Sequence, residues 1–285
     1  MRKIIASILL VSLAFALVVG CNRKEPAQSS SQPARVVLTP AYERYFGGAP
    51  SCDKGTAYAF VIYFPSSKEP GKVVPFPFFT FDEQSIKKVA IERLLGGMNV
   101  GSYEGEFIPF ASGSRLIAIS DVKGTITANF SKELESAEAS VATALALTLR
   151  QFKGVDDVRL QIEGKESSLS TLTKSADDNA VLQPSPPRLL SVTAMREKGA
   201  KEIEDLNVFF DRPVEVKELE LLSKDGQQLA GEVYHSVFDM AAVLKPKDPS
   251  RFKERLPIKV RWKVVDKLGR QSEGDNVWLL EIKEH

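Results

Sequence analysis

Few side chains in this sequence are equipped for catalysis or metal binding. Its 285 residues hold two cysteines, Cys21 and Cys52, and two histidines, His235 and the C-terminal His285. Two cysteines cannot build a four-cysteine zinc site. A site of two cysteines and two histidines would need all four residues and lacks the ligand spacing. Nucleophilic catalysis with a histidine base would have to turn on His235, which falls inside an expected strand and reads as a structural or surface residue. No Gly-x-Ser-x-Gly elbow presents a serine. Ser-x-x-Lys occurs several times, Ser85, Ser120 and Ser250 among them, as chance gives in a chain rich in both residues, and its partner motifs Ser-Asp-Asn and Lys-Thr-Gly are missing. Neither a P-loop nor a dinucleotide fingerprint is present. The pairs Asp156-Asp157 and Asp177-Asp178 are adjacent, so in a strand they point to opposite faces and cannot converge as a glycosidase pair does. Calcium at Asp177-Asp178-Asn179 would lack a loop motif. The residues therefore predict no catalytic group, no metal and no cofactor.

Cys21 has a chemistry set by its position. Arg2 and Lys3 precede an apolar stretch, Ile4 to Val19, that is short for a membrane-spanning helix and has the layout of an export signal. The stretch ends Val18-Val19-Gly20-Cys21, which resembles the lipobox of bacterial lipoproteins. The resemblance implies cleavage after Gly20, diacylglyceryl transfer to Cys21 and N-acylation, with palmitate among the chains. The thiolate is the side chain most readily alkylated. The expected partner is thus a membrane, held through the lipid on Cys21. Asn22 rather than Asp follows, which by the sorting rule of two-membrane bacteria favours the outer membrane facing the periplasm. In a one-membrane bacterium it would be the outer face of the plasma membrane. Losing residues 1–20 removes two bases and turns the formal charge from +1 to −1. Cys52 is then the one remaining thiol, expected to be buried or inert.

The elements come next. Residues 21–54 read as a tether: 22–35 are Ser, Gln, Pro and charge with nothing to bury, and 36–54 are expected to be partly ordered around Tyr42, Tyr45 and Phe46. Residues 55–166 alternate element types. Thr56–Phe64 reads as a strand that stops at Pro65. Phe81-Asp82-Glu83 opens a helix, with Asp82 as N-cap and Gly96-Gly97 as its end. Residues 115–130 form a hairpin around Lys123-Gly124, where glycine supplies positive φ. Residues 137–152 form a second helix, and Val158, Leu160 and Ile162 alternate in a last strand. The order βαββαβ predicts an α+β domain, one antiparallel-rich sheet with both helices on one face. Residues 167–187 read as a linker stiffened by Pro184, Pro186 and Pro187. In 188–285, about seven short apolar runs separated by turn signals predict an all-β, disulfide-free Ig-like sandwich. Its core is expected on Val192, Val208, Phe210, Leu221, Val260, Trp262 and Val264.

Several motifs in 56–166 recur in a known order. They are Ile62-Tyr63-Phe64-Pro65, Leu94-Leu95-Gly96, Ile108-Pro109 with Gly113 before Leu116, Asn129-Phe130-Ser131, Phe152-Lys153-Gly154-Val155 and Ile162-Glu163-Gly164-Lys165. In that order and spacing they resemble the GerMN domain, named for a sporulation and spore germination protein. Gly97 and Lys153 stand where the family often has proline. The resemblance implies an envelope lipoprotein without known catalytic residues or cofactor, and protein–protein association or self-association. Phe209-Phe210-Asp211-Arg212-Pro213-Val214 and the turn from Asp266 to Gly269 look like bacterial Ig-like modules, which implies a spacer or adhesion role.

Composition is compatible with this. Hydrophobic residues make up 43% and charged ones 26%, too polar for a polytopic membrane protein. Near-neutral charge argues against nucleic acid as partner. Two surfaces stand out as candidate contacts. Phe76, Phe78 and Phe79 lie in a run of four Phe in six residues, a contact patch if exposed and core if tucked under the sheet. Lys259, Arg261 and Lys263 share one face of a strand in a basic segment, 245–263, while 197–220 is acidic. A basic stripe would meet an anionic envelope polymer such as peptidoglycan; the alternative is pairing with acidic neighbour strands. The expected function is a non-enzymatic interaction or scaffold lipoprotein, with polymer binding as the alternative and an envelope hydrolase behind both.

Overall fold

The computed structural model describes residues 34–98 and 101–285. Gly20, Cys21 and the tether up to Pro33 lie outside the described residues. The described residues belong to one compact unit.

The first half begins with β1 (Arg35–Leu38) and α1 (Pro40–Phe46). Thr39 caps α1 by accepting from the Tyr42 N–H, and Tyr42, Tyr45 and Phe46 are buried. The aromatic residues of the expected tether are thus anchors. Next come β2 (Thr56–Pro65), β3 (Val73–Thr80), α2 (Ile86–Gly96), β4 (Leu116–Val122) and β5 (Thr125–Phe130). They are followed by α3 (Ala139–Arg150), β6 (Asp157–Ile162), β7 (Lys165–Glu166) and α4 (Leu169–Thr173). Asp82 precedes α2 rather than capping it directly. It accepts the Ser85 N–H at 3.1 Å, which holds its carboxyl below the usual carboxylate range.

The strands make two sheets where one was expected, β1-β2-β3 and β4-β5-β6-β7. The reason lies in β2, buried on both faces from Ala59 to Pro65, which needs cover on each side. Helices therefore serve both sheets: α2 touches β2 and β4, and α3 touches β2 and β6. The alanines of α3 and its all-round burial suit that central place. β3 was not expected as a strand. It carries Pro75 and Pro77, which an edge position tolerates; it pairs along its length with β2, and on its other side only Val73 is bridged, by Val181.

Two sheet margins are closed by helix side chains. β1 pairs with β2 only as far as Ala59. Beyond it, the Val61 N–H donates to Gln151 Oε1 at 2.7 Å, Gln151 Nε2 donates to the Val61 carbonyl, and the Tyr63 N–H donates to Thr148 Oγ1 at 3.2 Å. On the side of β6 away from β5, Ser170 Oγ takes the Leu160 N–H and donates to the Leu160 carbonyl, both at 2.8 Å. Thr173 Oγ1 donates to the Val158 carbonyl at 2.8 Å. The segment expected as a linker thus begins with a helix sewn to the sheet. We expect Gln151→Ala to strand two backbone groups of Val61 and to cost about 2–6 kcal/mol, at about 1–3 kcal/mol for each unsatisfied group, read from the urea midpoint.

The second half is strands: β8 (Leu189–Arg196), β9 (Asp205–Phe210), β10 (Val214–Leu222), β11 (Gly231–His235) and β12 (Ala241–Pro246). β13 (Pro257–Asp266), β14 (Gln271–Leu279) and β15 (Glu281–Glu284) complete it. One sheet runs β11-β12-β9-β8-β15 and the other β10-β13-β14. All seven residues expected in the core are buried there. β14 is longer than expected because its first part, Gln271 to Asn276, is polar.

Candidate functional site

The two halves meet through side chains rather than a linker. Asp211 and Arg212 sit in the turn after β9, and Asp266 ends β13. Arg212 donates from Nε and Nη2 to the two carboxylate oxygens of Asp211 at 3.0 and 2.9 Å, and its Nη1 lies 3.7 Å from Asp266 Oδ2. From the first half, Tyr103 Oη donates to Asp211 Oδ2 at 2.6 Å. Arg270 donates to Asp266 Oδ2 at 2.6 Å and to the Tyr45 carbonyl at 2.8 Å. The Arg212 guanidinium lies 5.6 Å from the centroid of the Phe46 ring. Side-chain exposure is 4% for Arg212, 0% for Asp211 and 1% for Asp266. Burial lowers the basicity of Arg212, but Asp211 more than offsets this, so its pKa is raised. Burial pushes the Tyr103 hydroxyl up, and the Asp211 charge adds to it.

Two further contacts flank this network. Arg188 pairs with Glu106 at 3.0 Å and lies over the Tyr103 ring, 4.6 Å from its centroid. On the other side, Phe238 stacks on Phe79 at 4.4 Å with the planes 9° apart. Phe238 and Asp239 both have positive φ, 66° and 55°, a strained conformation for non-glycine residues. Ser51 holds them. Its carbonyl accepts the Phe238 N–H at 3.0 Å, and its hydroxyl donates to Asp239 at 2.6 Å.

The phenylalanine patch is therefore internal. Phe76 is 2% exposed and meets Tyr103 edge-on at 4.8 Å; Phe78 lies between Phe60 and Phe64; Phe79 is covered by Phe238. Phe81, 57% exposed, is the ring of that run that reaches solvent. The apolar neighbours supplied by β2 and the second half decide this, and neither is visible in the run itself.

Lys259, Arg261 and Lys263 do share a face of β13, but β13 is the central strand of its sheet. Arg261 bonds Asp275 at 3.1 Å and Glu220 at 3.3 Å, Lys259 pairs with Asp275 at 3.2 Å and Lys263 with Glu273 at 3.9 Å. Adjacent strands neutralise the stripe. Cys52 is half-buried, with its thiol toward the Lys54 carbonyl at 3.4 Å, and His235 is exposed on β11. Among the described residues no three His, Cys, Asp or Glu side chains gather as a metal site. No described helix is long and apolar enough to cross a membrane.

Sequence reasoning missed the junction. Asp211-Arg212-Pro213 reads as a turn, and only a partner from the other half, Tyr103, makes it a buried ionic centre. The available signal was Arg212 beside an acidic residue between two strands otherwise apolar toward the core.

A mixed α/β half and an all-strand half, joined by a buried ionic network, define a two-part module whose best-formed polar cluster holds its halves together. Residues 61–168 match the family described as Germane, sporulation and spore germination, so this segment is a GerMN-type domain. The first GerMN domain of the sporulation protein GerM from Bacillus subtilis is 24% identical, with 38% of this chain and 84% of that chain covered and a TM-score of 0.32. The tandem GerMN domains of the same protein are 20% identical, covering 38% and 40%, with a TM-score of 0.29. CopC from Methylosinus trichosporium OB3b is 13% identical, covering 33% and 89%, with a TM-score of 0.23. No curated protein matches the chain.

Proposed function

We propose that this is a lipid-anchored cell-envelope protein that works as a non-enzymatic protein–protein interaction or scaffold module of the sporulation and germination GerMN type. The GerMN match over residues 61–168 carries the reading. Cys21 supplies the anchor, in the outer membrane of a two-membrane bacterium or on the outer face of a plasma membrane. The all-strand half is an Ig-like sandwich that acts as a spacer, and the buried junction makes the two halves move as one body.

The assembly surface in this reading is β4. It pairs with β5 on one side only, and Ile117 and Val122 stand 45% and 64% exposed on it. An open strand edge recruits another strand through main-chain hydrogen bonds. The test is photo-crosslinking in living cells from Ile117, with Lys224, exposed in the turn after β10, as control. Discrete adducts from Ile117 alone are expected. Equal labelling from both positions, or none from Ile117, would overturn the reading.

A further inference from the structure

The chain enters the folded body at one end of the sheet β1-β2-β3. Arg35 of β1 stands opposite Thr56, the first residue of β2. Two residues further on, Val37 stands opposite Tyr58, and Tyr58 opposite Thr80, the last residue of β3. The start of β1 and the exit of β3 therefore share this end of the sheet, two strand spacings or about 10 Å apart. Phe81 follows directly and is 57% exposed, and Val37 is 41% exposed. Val237, in the turn between β11 and β12, is 40% exposed and precedes Phe238, whose ring centroid lies 5.6 Å from that of Phe81. One exposed apolar side chain needs no explanation, but three at one end of a sheet form a patch.

Phe81 is held in place. Phe238 stacks on Phe79 and meets Phe81, so three rings run in contact from the core to solvent. The strained turn at Phe238 and Asp239, fixed by Ser51, is what carries the middle ring to that position. A ring fixed where it is exposed has little freedom left to lose on binding.

The preceding chain identifies what covers the patch. Residues 22–33 separate Cys21 from Ala34, the first described residue. At no more than about 3.6 Å per residue, that stretch reaches at most about 45 Å. With Cys21 in lipid, as proposed above, the end of the body that carries Phe81 is leashed beside a bilayer. A leash that short gives even a weak contact a high effective concentration. An untethered protein partner needs far more, since a stable interface buries about 800 Å² on each side. The exposed charges around the patch, Arg35 and Lys54 against Asp53, Asp82 and Glu83, offer an anionic surface no net attraction. Contact must then come from apolar insertion at the headgroup level. We propose that this end of the body docks on the bilayer that holds the anchor, with Phe81 inserted among neutral headgroups and Val37 and Val237 beside it.

The docking rests on the lipid anchor, so the experiment supplies an anchor of its own. Residues 21–285, which include every described residue, would carry Cys52→Ser, leaving Cys21 as the one thiol. Cys21 would be joined to a maleimide phospholipid in phosphatidylcholine vesicles. The result is then independent of whether a cell acylates Cys21, which palmitate labelling decides separately. On irradiation, p-benzoylphenylalanine in place of Val237 should give phospholipid adducts about tenfold above the same probe in place of Lys224. Phe81→Asp should lower the yield at position 237 about tenfold, because it removes the largest apolar group from the contact. Should that variant fail to fold, Val37→Asp, at an exposed strand position, should lower the yield as well. No lipid adducts from position 237, equal adducts from both positions, or adducts to a second copy of the chain in place of lipid would each overturn the proposal. So would a yield that appears only when phosphatidylglycerol is added, or one undiminished in a folded aspartate variant.

Discussion

Replacing Arg212 by Ala should cost about 3–5 kcal/mol of stability, the usual loss when one partner of a buried ion pair is removed. The geometry makes this the most damaging single truncation at the junction. Arg212 donates twice to Asp211 and faces Asp266, and both carboxylates are shut off from solvent. Without the guanidinium, Asp211 keeps Tyr103 Oη and the Arg188 N–H, and Asp266 keeps Arg270 and two backbone donors. Those bonds fix the carboxylates in place and leave one negative charge uncompensated. Arg212→Lys should recover little, because a single ammonium cannot reproduce two parallel bonds and reach a second carboxylate. Denaturant unfolding followed by tyrosine and tryptophan signals checks the result. A variant within 1 kcal/mol of the parent, on the scale of an ordinary surface change, would show that the network is not what holds the halves together.

The second large effect concerns Cys21. Cys21→Ser should abolish incorporation of labelled palmitate and leave the chain heavier by residues 1–20, because a hydroxyl is a far weaker nucleophile than a thiolate and the leader would not be processed. The parent should partition with membranes and resist extraction by salt. Several acyl chains hold a protein stably where one binds marginally. Metabolic labelling and intact mass read both outcomes. Label on the Ser variant, or none on the parent, would contradict the lipid anchor.

What the sequence disclosed depended on how local each cause was. β2, α3, β6 and the hairpin at Lys123-Gly124 follow from periodicity and turn chemistry that a few neighbouring residues contain. The core of the second half was readable for the same reason: Val260, Trp262 and Val264 alternate with charge. β3 was not readable, because its prolines fit a strand only at an edge, and edge position depends on β2. The same holds for α4, whose sequence LSTLT looks like solvated linker until Ser170 and Thr173 find the backbone of β6. The stripe of Lys259, Arg261 and Lys263 was visible as a shared face, but its neutralisation depends on Glu220 and Asp275 from other strands. The polar start of β14, Gln271 to Asn276, hid the first part of that strand.

The hydroxyls of α4 have a consequence for any assembly built on the sheet they border. By occupying the outer backbone of β6, Ser170 and Thr173 remove one of the two margins through which the four-stranded sheet of the GerMN-type domain would grow. Its edge strand on that side, β7, is two residues long. The margin at β4 is the one left. A unit with a single docking margin has a valence of one: pairing through it ends at two partners and cannot propagate into a filament. Any ring or lattice containing this chain would have to be extended by a second, different contact.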